Sequence, residues 1–144
     1  MSSLESVLAA LNRARVRYLL VGGLASVLYG VARTTVDLDL ALDPKPENVR
    51  KALRALHRIG LLPEAHFVED ILGQGGVTVR NDLSVDLLTD LPTGSFAEFW
   101  RRRTIVRFRG TRLPTVSKAD QIRLLRAAGR RKDLEDAKDL ESRP

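Results

Sequence analysis

No cysteine occurs in the 144 residues, which excludes disulfides, thiolate metal sites and a cysteine nucleophile. Histidine is nearly as scarce. His57 and His66 have no partner histidine at metal-ligand spacing, so structural or surface roles suit them better than catalysis. Aromatic residues make up 5% of the chain, and Phe96, Phe99 and Trp100 fall at a helical spacing that suits core packing, not a base-stacking platform. No run approaches the ~18 apolar residues of a membrane span. No basic-then-apolar leader opens the chain, so a cytoplasmic location is the default expectation.

What is present fits a globular protein: 44% hydrophobic and 29% charged residues. A chain of this length buries roughly two thirds of its unfolded surface. We read residues 1–144 as one domain, with a core over about 1–115 and a C-terminal helical extension over about 116–144. The formal charge is +6, and it is unevenly spread: twelve of the 24 lysines and arginines lie between Arg101 and Lys132, where Asp120 is the only acid. That density favours phosphate-bearing partners, and equally serves solubility.

Periodicity orders the elements. Leu4, Val7, Leu8 and Leu11 predict an amphipathic helix, with Ser2 and Glu5 placed as a capping box. Arg17–Val21 reads as a buried strand, Leu24–Gly30 as a helix, and Val36–Leu42 as a second strand. After Asp43-Pro44-Lys45-Pro46, a helix presents Val49, Ala52, Leu53 and Leu56 inward and ends at Gly60. Residues 64–68, 76–80 and 84–88 read as short strands, with Gly73-Gln74-Gly75-Gly76 as a turn. Ser95 and Glu98 box the start of a helix through Trp100, Thr104–Phe108 and Thr111–Pro114 form a hairpin, and Ser117 with Asp120 caps a helix to Ala128. A last helix runs from Arg131 to about Leu140, its acids Asp133, Glu135, Asp136 and Asp139 balancing the arginines before it on a solvated surface.

Two features carry chemistry. Gly22-Gly23 forms the turn from strand to helix, where backbone N–H groups without neighbouring Cβ atoms can approach an anion at the positive end of a helix. Ser26 is placed to add a hydroxyl. On the next strand Asp37 and Asp39 project from one face because side chains alternate along a strand. Two such carboxylates repel unless a cation lies between them. Asp86, flanked by Val85 and Leu87, is the third acid that a two-metal site about 4 Å across would need.

The glycine pair, thirteen intervening residues, Asp37-Leu38-Asp39-Leu40 and the later lone-acid strand together resemble the nucleotidyltransferase superfamily typified by DNA polymerase beta. Val21-Gly22-Gly23-Leu24-Ala25, Tyr29-Gly30 and Arg33-Thr34-Thr35, with Ser117-Lys118-Ala119-Asp120 and the run Ala127–Asp136, resemble its small bacterial members related to the AbiEii-like abortive-infection toxins. The resemblance implies an α/β (α+β) fold with a mixed central sheet flanked by helices and a short helical extension. It also implies nucleotidyl transfer from a nucleoside triphosphate (NTP) to a hydroxyl of an RNA, protein or small-molecule acceptor. Asp37, Asp39 and Asp86 would hold Mg2+, with Mn2+ able to substitute, and Asp86 would also take the acceptor proton. Gly22, Gly23, Ser26, Arg33 and Thr35 would line the nucleotide. Arg33 and Thr35 are equally suited to bracing the loop.

In such relatives a lysine often stands where this chain has Leu125. Arg123 or Arg126 is the expected replacement. These share a helical stripe with Arg130 that could overhang the acids. A homodimer or a toxin–antitoxin partner is expected to help grip the acceptor. Two other readings stay open: a catalytically weak or inactive antitoxin or binding module, and a basic nucleic-acid-binding domain whose acids are incidental.

Overall fold

The computed structural model describes residues 3–35, 37–61, 68–80 and 82–144. Helix α1 (Leu4–Arg13) opens on Ser3, not on the expected Ser2 and Glu5. The Ser3 and Ser6 side chains each accept from the other's backbone N–H, and Glu5 instead pairs with Arg109. Its Val7, Leu8 and Leu11 are wholly buried. Strand β1 (Tyr18–Val21) runs directly into α2 (Gly22–Leu28), which begins two residues earlier than the periodicity predicts because the glycines themselves enter the helix. Strand β2 (Asp37–Leu42) leads to α3 (Pro46–Arg58), whose first helical position is proline. Buried Asn48 ties α3 to the foot of β1, bonding both the N–H and the carbonyl of Arg17.

The next segment departs from the sequence reading. Residues 64–67 of the expected strand lie outside the described residues, and Val68 opens a helix, α4 (Val68–Gln74). Val68 and Ile71 bury themselves one turn apart, which a short strand pattern would not allow. Gly73 and Gln74 therefore belong to the helix, and Gly75, with φ +80°, makes the break before β3 (Gly76–Arg80). Strand β4 (Ser84–Leu88), helix α5 (Phe96–Arg101, boxed by Ser95 and Glu98), strands β5 (Thr104–Phe108) and β6 (Thr111–Thr115), and helices α6 (Lys118–Ala128) and α7 (Arg131–Ser142) follow as expected.

The six strands among the described residues form one mixed sheet in the order β3-β4-β2-β1-β6-β5. The pairs β2–β4 and β1–β6 are parallel and the other three antiparallel. One face carries Tyr18, Leu20, Leu38, Leu40, Val85, Leu87 and Leu113 into the main core with α1, α2 and α3. The opposite face carries Leu19, Val21 and Ala41, packed with Phe99 of α5 and with Val116. Alternation then dictates where the acids go. With Leu38, Leu40, Val85 and Leu87 turned to the main core, Asp37, Asp39 and Asp86 must emerge on the other face. A third, small cluster of Val31, Leu125, Ala137 and Leu140 seats the two C-terminal helices beside the loop that follows α2. Among the described residues no helix is long and apolar enough to cross a membrane.

Candidate active site

Asp39 and Asp86 are direct register partners on the parallel strands β2 and β4, and Asp37 stands two residues before Asp39 on the same face. Thr78 of β3, opposite Asp86, donates its hydroxyl to Asp86 Oδ1 at 2.6 Å. Asp39 feels this crowding. Burial first, then hydrogen bonding and charge from Asp86, then the Asp37 charge, push its carboxyl up to about 7, against the smaller opposing effect of the Gly23 N–H.

The glycine turn presses on this carboxylate. Gly22 holds φ +72°, and a Cβ there would stand 2.1 Å from Asp39 Oδ2; a Cβ on Gly23 would come within 3.1 Å of the Thr35 hydroxyl. Acids and turn thus share one cleft of about 360 Å³, whose lining includes Gly22, Gly23, Arg33, Thr35, Asp37, Asp39 and Asp86. Apolar Leu88, Leu91, Leu124 and Leu125 form part of its wall.

Three of the expected nucleotide ligands are placed otherwise. Ser26 is fully buried, and its hydroxyl accepts a 3.0 Å bond from Gln121 Nε2, which also donates to the Gly22 carbonyl at 2.9 Å. The hydroxyl is committed to pinning α6 against the turn. Arg123 pairs with buried Asp120, and Arg126 with Glu141; neither lines the cleft. Arg33 does line it, and its guanidinium lies 3.1 Å from Asp136.

The other cations that line the cleft are Arg130 and Lys132, from the break between α6 and α7. Gly129 makes that break in the left-handed region, φ +71°, and so turns Arg130 off the helical stripe it was expected to share with Arg123 and Arg126. Arg130 donates to Asp133 at 2.6 Å, and this bond, with Asp39 adding a smaller attraction, raises its pKa. Asp133 and Asp136 are buried in the cleft wall, not solvated as the composition of α7 suggests. Burial, together with the charge of Asp133, drives the Asp136 carboxyl upward despite Arg33. The sequence signals for these residues were a glycine followed by three cations and an acid, and a glutamine one helical turn from Ser117.

The donor set is entirely oxygen and carries net negative charge, which suits a hard divalent ion. Among the described residues no group of three acidic or histidine side chains is arranged to hold a metal ion by itself. Water and substrate oxygens would have to complete any coordination sphere, as is usual for magnesium.

No protein-family model matches the chain, and no curated protein matches it. Solved structures do. The lincosamide antibiotic adenylyltransferase LnuA, with lincomycin bound, is 22% identical with a TM-score of 0.66, over 97% of this chain and 97% of that one. The fold is that of the nucleotidyltransferases. ANT(2")-Ia, in complex with adenylyl-2"-tobramycin, is 16% identical with a TM-score of 0.64, over 95% of this chain and 84% of that one. An antigenic nucleotidyltransferase-like protein from Paracoccidioides brasiliensis is 19% identical with a TM-score of 0.54, over 97% of this chain and 76% of its own. On the nucleotidyltransferase fold of this chain, the acids and the glycine turn meet at the mouth of the sheet.

Proposed function

We propose that the chain is a nucleotidyltransferase, moving a nucleoside monophosphate from an NTP to a hydroxyl of an acceptor. The observation that carries this reading is the meeting of Asp37, Asp39 and Asp86 on one sheet face with a turn whose missing Cβ lets backbone approach Asp39 to contact distance.

The backbone N–H groups beyond Gly23, whose own N–H is turned to Asp39, receive the β- and γ-phosphates, assisted by the positive end of α2. Arg130, Lys132 and Arg33 supply cationic charge along the same wall. Magnesium, or manganese in its place, would be held by Asp37, Asp39 and Asp86 and would supply charge neutralisation on the triphosphate and lower the pKa of the acceptor hydroxyl. Asp86 takes the acceptor proton. As the acceptor oxygen bonds to the α-phosphorus, the bond from that phosphorus to the β-phosphate oxygen breaks and pyrophosphate leaves. Burial first, and then the neighbouring Asp86 and Asp37 carboxylates, hold the Asp39 pKa up at about 7 in the free protein, and a bound cation would offset that crowding.

A weak or inactive binding module is favoured by one specific feature: Leu125 is an apolar, buried part of the cleft wall, while Arg33 and Arg130 are already paired with acids. Incubation of the purified protein with each α-labelled NTP and with cell RNA or lysate tests both. Transfer of label that requires a divalent ion and disappears in Asp39→Asn supports the enzyme. NTP binding without transfer in any fraction supports the module.

A further inference from the structure

The outward side of the β5–β6 hairpin carries a charge arrangement the active site does not use. Leu113 and Thr115 are buried toward the main core, so the alternate residues Arg112 and Pro114 of β6, with Ile105 and Arg107 of β5, face the other way, on the sheet face that also bears the acids. Arg107 and Arg112 are direct cross-strand partners. Like charges placed opposite one another destabilise a hairpin, and among the described residues no acid is paired with either. Arg17, alternating with buried Tyr18, projects from the same face at the foot of β1. It lies 5.2 Å from the Trp100 ring, over which Arg103 stacks at 4.0 Å. Among the described residues none of these four arginines forms an ion pair, and Arg103 also donates to the Trp100 carbonyl at 2.9 Å.

We infer that this face, Arg17, Arg103, Arg107 and Arg112, binds the phosphodiester backbone of a nucleic acid strand and presents it as the acceptor. The acceptor role rests on the proposed transferase; the binding does not. All four cations are arginine, whose planar fork matches phosphate oxygens two at a time. Exposed Arg107 and Arg112 repel one another only modestly, and an anion lying across both would turn that repulsion into attraction. A second copy of the chain, itself at +6, would add to the repulsion and is the wrong occupant.

The test is fluorescence anisotropy with a labelled single-stranded RNA, with duplex DNA and phosphatidylserine vesicles as further arms. Four phosphate contacts predict an affinity that falls roughly 50-fold between about 50 and 200 mM salt, with a log–log slope near −2.8. Arg107→Gln/Arg112→Gln should shift that slope by about 1.4 toward zero while leaving the Tm unchanged or raised, since it removes a repulsion. Arg54→Gln, exposed on α3 away from both the cleft and this face, should bind RNA as the wild type does. Unaltered RNA binding in the double variant, or binding to vesicles in preference to both nucleic acids, overturns the inference. If RNA binds at this face but is never labelled by any NTP, the acceptor role falls while the binding surface stands; the transferase reading falls only when no lysate fraction is labelled either.

Discussion

Gly22 and Asp39 are in contact through an absence: the side chain that Gly22 lacks would overlap the Asp39 carboxylate at 2.1 Å. Backbone and acid belong to neighbouring antiparallel strands' ends, with Val21 opposite Asp39 in register. The space above this contact is therefore where phosphate and acid would face each other. Gly22→Ala should cost about 1–3 kcal/mol of stability from its left-handed backbone alone and abolish transfer by displacing Asp39. Gly23→Ala, whose Cβ meets only the movable Thr35 hydroxyl, should lower stability and activity far less. Melting curves and label incorporation, compared side by side, check this.

The titration of Asp39 has a stability consequence. Its folded value of about 7 lies above the unfolded value of about 3.9, so the native state holds the proton more tightly. Stability of the free protein is then greatest below about pH 4 as far as this group is concerned, and is lost as pH rises through about 7. Asp39→Asn should abolish transfer, flatten that decline, and be more stable than the wild type at pH 8 by about 1–2 kcal/mol, the half-buried position discounting the full shift. Thermal melts from pH 4 to pH 8 for both proteins show whether the slopes differ. Added magnesium should raise the wild-type Tm at pH 8 and do so far less at pH 5, where protons occupy the same carboxylate.

Removing the Thr78 hydroxyl probes Asp86. Thr78→Val frees Asp86 Oδ1 from its 2.6 Å donor, and the expected result is a change of roughly tenfold or less in kcat. Asp86→Asn should instead lose on the order of 10³-fold or more in kcat. Steady-state kinetics across pH separates the two.

Two arginines inside the cleft and two outside it make a controlled comparison. Arg130→Gln and Arg33→Gln should each weaken NTP binding by about tenfold, as expected for one charge-assisted contact of about 1.5 kcal/mol. Arg123→Gln and Arg126→Gln, directed at Asp120 and Glu141, should leave NTP affinity unchanged. Titration calorimetry with a non-hydrolysable NTP reads all four.

Gln121 couples α6 to the turn. Gln121→Leu removes the donor to the Gly22 carbonyl and the Ser26 hydroxyl, leaving buried groups unpaired at a cost of about 1–3 kcal/mol. The Tm should fall by about 2–4 °C per kcal/mol, and KM for the NTP should rise with it.

Much of this was written in local pattern. Strict alternation around Leu38, Leu40, Val85 and Leu87 determined that Asp37, Asp39 and Asp86 share a face, because strand geometry permits nothing else once one face is apolar. The glycine pair, the Ser95–Glu98 box and the β5–β6 hairpin were equally local, and hydrogen bonds over three or four residues suffice to specify them. The sequence did not determine which cations would reach the acids. Arg123 and Arg126 repeat at helical spacing with Arg130, but the left-handed break at Gly129 and the acids of α7 assign each guanidinium a different partner. The burial of Ser26 under Gln121, 95 residues away in sequence, was likewise invisible, as was the helix at Val68. Contacts of that range are settled only by how whole elements pack, so the tertiary structure alone decided which charged side chains face the cleft and which are spent on one another.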